Sequence, residues 1–154
     1  MISDMRAILA EHPFVRGLDP KYLDFLAGCA SNRPFAAGEF LLREGEDANA
    51  TFLIRTGRVA LEIHVPGREP VRIQTVGEGE AVGWSWLFPP YRWHFDARAL
   101  EPTRAIHLEG GCLRGKCEAD HDLGFEIARR FLQLVNQRLE RTRLQVLDVY
   151  RESR

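Results

Sequence analysis

The sequence predicts an α+β fold: an antiparallel β jelly-roll barrel flanked by N-terminal helices and followed by a long C-terminal helix. Three observations carry this. Apolar residues recur at helical spacing near the N-terminus, short alternating runs punctuated by Gly and Pro fill the middle, and a proline-free stretch closes the chain. At 154 residues and 45% hydrophobic content, the chain reads as one domain over 1–154, with helices in 1–31, the barrel in 33–109 and the exit helix in 120–150.

Ser3 is placed to cap a short helix running to about Glu11, with Asp4 complementing its dipole and Pro13 ending it. Asp19-Pro20 starts a second helix, carrying Leu23, Leu26 and Ala27, and Asn32-Arg33-Pro34 is expected to stop it. Strands then begin around Phe35, Gly38, Phe40 and Leu42. Phe52–Arg55 and Arg58–Val65 flank Thr56-Gly57 like a hairpin, and Val59, Leu61, Ile63 and Val65 alternate with more polar neighbours. Val71–Val76 alternates again, and Ala97–Leu100 and Arg104–Leu108 supply the last strands. Cys112–Cys117 is expected to form one helical turn, and Asp120 to cap the exit helix.

The exit stretch from Leu123 to Tyr150 contains no proline, and its only glycine is Gly124. As a helix it spans about 45 Å, whereas a compact domain of the remaining residues is about 35 Å across. Leu132, Val135, Leu139, Thr142, Val146 and Val149 alternate spacings of three and four, the seam of a coiled coil with one polar member. Ile127, Phe131 and Leu134 form a second strip on an adjoining face. The strip is expected to pack on the barrel and the seam to pair with a second copy, giving a homodimer.

A formal net charge of −1 argues against a polyanionic partner. The lack of an apolar run of spanning length argues against a membrane, and the N-terminus has no signal-peptide pattern. A soluble, cytoplasmic protein is the expectation. Cys29, Cys112 and Cys117 match neither a zinc nor a redox spacing, and all three are expected to be free, reduced thiols. No nucleophile–histidine–acid pattern and no phosphate-gripping loop points to an enzyme, and no cofactor is expected.

Phe35-Ala36-Ala37-Gly38-Glu39-Phe40-Leu41, then Glu44-Gly45, Phe52-Leu53-Ile54 and Gly57-Arg58-Val59 set glycines at the corners of the strands. Gly79-Glu80-Ala81-Val82-Gly83, Leu87-Phe88 and the pair Ala97 and Ala99 follow. Together these resemble cyclic-nucleotide-binding domains, most of all the effector domains of catabolite-activator-type (Crp/Fnr) regulators. The resemblance implies a jelly roll and a phosphate-binding cassette. It also implies an exit helix that ligand binding repositions.

The cassette departs from the family's pattern. The glutamate that would accept from the ribose hydroxyl is replaced by Trp84, and the arginine that would pair with the cyclic phosphate falls at Trp93. Arg92 stands one place early, where a shift of register would bring it to the phosphate. Losing both anchors would cost roughly 3–6 kcal/mol, or on the order of a hundredfold to ten-thousandfold in affinity. Gly83, Trp84, Ser85, Arg92 and Trp93 are therefore the candidate ligand residues. The tryptophans either fill the pocket or line it for another small ligand. A protein partner for a closed module also stays open.

Remaining candidates are weaker. Ser85 is either an anion contact or a helix cap. Arg98 is expected to pair with Asp96 or Glu101. His94 is a structural histidine rather than a metal ligand. Arg129, Arg130, Arg138, Arg141 and Arg143 read as a solvated, salt-bridged face. Regulators of this type continue into a helix-turn-helix domain, whereas this sequence stops at Arg154. Direct DNA binding is not expected.

Overall fold

The structure, a computed structural model, describes residues 2–152, with side chains from residue 4. Helix α1 spans Ile2–Glu11, a 3₁₀ turn spans Pro13–Val15, and α2 spans Pro20–Ala27. Asp19 caps α2 by accepting from the Lys21 N–H at 3.0 Å, with Pro20 at the first helical position, as its sequence signals. Ser3 lies inside α1 rather than at its cap, because the helix starts at Ile2; the Ser3 side chain is outside the described residues.

Strands β1 (Ala30–Phe35), β2 (Phe40–Leu42), β3 (Ala50–Thr56), β4 (Arg58–Ile63), β5 (Val71–Gly77), β6 (Ala81–Val82), β7 (Asp96–Ala99) and β8 (Thr103–Glu109) form two four-stranded antiparallel sheets. Their orders are β1-β8-β3-β6 and β2-β7-β4-β5. The stretch expected to stop α2 is strand β1 instead. Pro34 is tolerated there because β1 is an edge strand, paired on one side only with β8. Thr56-Gly57 is likewise a corner between sheets, not a hairpin, since β3 and β4 do not pair with each other. Gly57 has φ of 102°, and a Cβ there would stand 2.7 Å from Thr103 Cα, so the corner admits only glycine.

Every residue of β3 from Ala50 to Ile54 is buried. Leu53 joins a core formed with the helices, alongside Leu9, Leu26, Ile106 and Phe131. Phe52 and Ile54 point the other way, into the core between the sheets with Leu61, Val76 and Trp93. This is the period-2 alternation of a strand buried on both faces. In β4 the residues from Val59 to Glu62 are all buried, rather than alternately exposed. Glu62 is accommodated by a bidentate pair with Arg98 at 2.9 and 3.0 Å, which holds its carboxyl below the usual carboxylate range. Arg98 therefore pairs with neither Asp96 nor Glu101: Asp96 accepts from the Glu44 N–H, and Glu101 pairs with Arg58.

Cys112–Cys117 lies in a ten-residue helix, α3 (Gly110–Ala119), longer than the single turn expected. Glu109 caps it by accepting from the Gly111 and Cys112 amides. Helix α4 (His121–Glu152) has Asp120 as its cap, accepting from the Asp122 and Leu123 amides at 3.1 Å. Its strip of Leu123, Ile127, Phe131 and Leu134 is buried, as the sequence led us to expect of the last three. No helix among the described residues is long and apolar enough to cross a membrane.

The expectation of three free thiols fails. Cys29 and Cys112 form a disulfide, with Cα atoms 5.7 Å apart and a sequence separation of 83; Cys117 is free. Pairing of Ala30 with Leu108 brings the start of β1 beside the β8–α3 junction, a contact that no local spacing announces. One reactive thiol is expected in the native oxidised chain and three after reduction and unfolding, and Cys29→Ser should lower stability by about 2–5 kcal/mol. Thiol titration and urea unfolding check both; three thiols in the native, unreduced chain would contradict the bond.

His12 is buried between its neighbours. Its Nδ1 accepts from the Phe14 N–H at 3.1 Å, so Nε2–H donates to the Ile54 carbonyl at 2.8 Å and the ring is neutral. Burial pushes its pKa below the ordinary 6.5. The unfolded chain then binds a proton that the folded chain refuses. This contribution to stability is full above pH 6.5 and is lost as pH falls through that value towards the lower folded pKa. The urea midpoint is expected to drop on acidification through that window, and less steeply in His12→Gln; equal slopes in the two proteins would contradict the assignment.

Candidate functional site

The segment from Gly83 to Ala99 leaves β6, makes a 3₁₀ turn at Ser85–Leu87, and returns as β7. Proline at 89 and 90 bars regular structure between them. The three tryptophans go to three different places. Trp86 is fully buried on the helical side, edge-on to Phe131 at 5.6 Å. Trp93 is 4% exposed and sits in the core between the sheets. Trp84 lies between the two cores, 5.9 Å from Phe95 and with the Arg138 guanidinium 5.3 Å from its ring.

Gly83 and Trp93 fit each other. Gly83 has φ of 98°, and a Cβ there would stand 2.8 Å from the Trp93 ring. The six-membered ring of the indole therefore packs against Gly83, in the stretch that resembles the family's phosphate cassette. Its neighbour Arg92 is turned outward. Residue 92 makes an isolated bridge with Asp47, and its Nη1 is 2.6 Å from the Asp47 carboxylate at the surface. Backbone bonds on either side hold this register: Trp93 N–H donates to Glu46, Gly45 N–H donates to the Trp93 carbonyl, and Ala48 N–H donates to the Tyr91 carbonyl. Ser85 is buried at the start of the 3₁₀ turn.

A cleft of about 240 Å³ opens between the barrel and α4. Its barrel wall is Leu61, Gln74, Trp84 and Phe95; its helix wall is Val135, Arg138, Leu139 and Thr142. Of the five candidate cassette residues only Trp84 reaches it. The seam residues divide as well. Val135, Leu139 and Thr142 border this cleft, with Gln74 Nε2 donating to Thr142 Oγ1 at 3.2 Å, whereas Leu132 and Val149 are 69% and 64% exposed.

Arg138 does not belong to the solvated face that its charge suggests. It is 5% exposed and directly continues the strip of Phe131 and Leu134. Nη2 donates to the Ala81 carbonyl, while Nε and Nη1 have no partner among the described residues. Burial lowers its pKa to about 10. Gln74, also buried, spends its amide on the Arg138 carbonyl and Thr142 and leaves Oε1 unpartnered. An arginine where an apolar strip asks for a leucine was the signal in the sequence. His94 is exposed, and no group of three His, Cys, Asp or Glu side chains among the described residues could hold a metal.

Residues 32–120 match the cyclic nucleotide-binding domain family. The chain belongs to that family. A CRP-like cAMP-activated global transcriptional regulator of Mycobacterium tuberculosis is 26% identical over 146 residues. The match covers 94% of this chain but only 63% of that relative. A candidate cyclic nucleotide-binding protein from Geobacter metallireducens GS-15 superposes with a TM-score of 0.78 at 26% identity, covering 87% of this chain and 97% of that one. A cyclic nucleotide-binding domain from Methylobacillus flagellatus KT gives 0.77 at 20% identity, with 96% and 83% covered. The resemblance to Crp/Fnr effector domains and the jelly-roll fold thus hold for this domain.

If Trp93 is a core residue, Trp93→Ala should cost about 3–5 kcal/mol by opening a cavity. Gly83→Ala should cost about 1–3 kcal/mol, through its left-handed backbone and the clash with the ring. Urea denaturation checks both. A Trp93→Ala protein as stable as the parent would mean that the indole lines open space.

Proposed function

We propose that this chain is a non-enzymatic regulatory module of the cyclic-nucleotide-binding type, with a remodelled phosphate cassette that does not bind cyclic AMP in the family's usual manner. The reading rests on one observation: the Trp93 indole packs against Gly83 while Asp47 holds Arg92 at the surface. A phosphate entering there would have to displace a buried indole and would find no cassette arginine waiting. The regulatory role is supported by relatives whose names describe regulators, and by the contact between the cassette's Trp84 and Arg138 of the exit helix. Ligand or partner binding would shift the population of α4 positions.

The second part of the proposal is a homodimer through α4. Leu132, Leu139, Leu144, Val146, Leu147 and Val149 are all exposed in the single chain, on a helix that continues beyond its contacts with the barrel. Of these, Leu132, Leu139, Val146 and Val149 lie along the three-four seam, and such a row fits a coiled-coil partner of the same sequence. The competing reading, a dimer with a closed pocket that serves only protein contacts, predicts no small-molecule response at all.

Calorimetric titration with cyclic AMP and cyclic GMP should show no saturable binding at micromolar concentrations. Micromolar cyclic-AMP binding that disappears in Arg92→Ala would overturn the remodelled-cassette reading. In sedimentation, the parent should run as a dimer and the Leu139→Glu, Val146→Glu double variant as a monomer. A double variant sedimenting with the parent would remove the seam.

A further inference from the structure

The cleft between the barrel and α4 holds two polar groups that the fold itself leaves unmatched. Arg138 keeps Nε and Nη1, and Gln74 keeps Oε1, buried and without partners among the described residues. The acid that acts on Arg138, Glu80, is already engaged: one carboxylate oxygen accepts from the Gly77 N–H at 2.7 Å and the other pairs with Arg141 at 3.1 Å. A buried guanidinium with no carboxylate of its own is a site for an anion brought from outside.

The rest of the wall is apolar and aromatic. Trp84 and Phe95 stand 5.9 Å apart, tilted by 56°, with Leu61 and Leu139 flanking them. Such walls suit a flat ring. At about 240 Å³ the cleft is smaller than the roughly 300 Å³ at which pockets for drug-sized ligands begin. Carboxylate chemistry matches the planar fork of the guanidinium in two parallel bonds, and the free Oε1 of Gln74 asks for a donor.

We propose that this cleft binds a small planar aromatic carboxylic acid carrying a ring N–H. Its ring packs on Trp84 and Phe95, its carboxylate pairs with Arg138, and its N–H donates to Gln74. The inference rests on the reading of the cassette as a non-nucleotide regulatory site, and it names that site's ligand class. Because the acid touches both the barrel and α4, its binding favours one seating of the helix over others.

The test is a calorimetric titration of the full chain with indole-3-acetate, which combines the three features. Saturable binding at one site per chain is expected. Indole lacks the carboxylate and phenylacetate lacks the N–H, and each should bind at least tenfold more weakly. Arg138→Met should abolish binding while the unliganded thermal midpoint holds or rises, since the variant removes an unpaired buried charge. Gln74→Leu should erase the preference for indole-3-acetate over phenylacetate. No binding of indole-3-acetate, or equal binding by Arg138→Met, overturns the proposal. Cyclic AMP run in parallel separates the two readings: if it binds through Arg138, both fall; if neither compound binds, the remodelled cassette stands and this inference alone falls.

Discussion

Strand β3 has to bury both of its faces, and the rest of the molecule follows from that constraint. From Ala50 to Ile54 its residues are all buried, with Leu53 facing the helices and Phe52 and Ile54 facing the second sheet. One sheet alone could cover only one of these faces. The jelly roll covers the inner face, and α1, α2, α3 and the first half of α4 cover the outer one. Burying a large aliphatic side chain contributes about 1.5–3 kcal/mol, so a strand of this kind is stable only as the middle layer of three. The Cys29–Cys112 disulfide ties the end of the α2 segment to α3 on the same outer side.

That layering also places α4. Its strip runs over the outer core through Leu134 and then meets the cleft, where the next inward residue is Arg138. Up to Leu134 the helix is held by apolar burial. At Arg138 the inward face carries a charge, with one bond to the Ala81 carbonyl. Beyond it the apolar residues are exposed, and the helix is held to the barrel by polar contacts: Arg141 pairs with Glu80, Thr142 accepts from Gln74, and Gln145 donates to the Ile73 carbonyl. The point at which apolar burial gives way to polar contacts is therefore the point at which the helix touches Trp84. A domain that converts occupancy of the cassette into helix movement needs the coupling at that turn.

Much of the architecture was legible from the sequence because it is local. Asp19-Pro20, Asp120 and the three-four spacing on α4 declare themselves within a turn or two, and the glycine-punctuated strands show the barrel. What was missed depends on contacts between distant segments. Asn32–Pro34 looked like a helix stop because proline breaks helices, yet it forms an edge strand that only the pairing with β8 reveals. Thr56-Gly57 looked like a hairpin, because local sequence does not say that its strands part to different sheets. The disulfide joins positions brought together by the same β1–β8 pairing, and the burial of Arg138 by the barrel escaped a reading that weighed its charge above its place in the strip. Between Gly83 and Ala99, the sequence showed tryptophans where the family resemblance led us to expect polar anchors and left the register of Arg92 open, while the inward turn of Trp93 and the outward turn of Arg92 required three dimensions.

The proposal that tryptophan has taken the phosphate's place is tested most directly by the indole N–H signals of the three tryptophans during a titration with cyclic AMP. In a two-dimensional nitrogen–proton spectrum, the Trp93 signal, assigned by Trp93→Phe, should stay in place at millimolar nucleotide, as a core residue's would. A saturable shift of Trp93 at micromolar cyclic AMP would show that the nucleotide reaches the cassette, and would contradict the proposal.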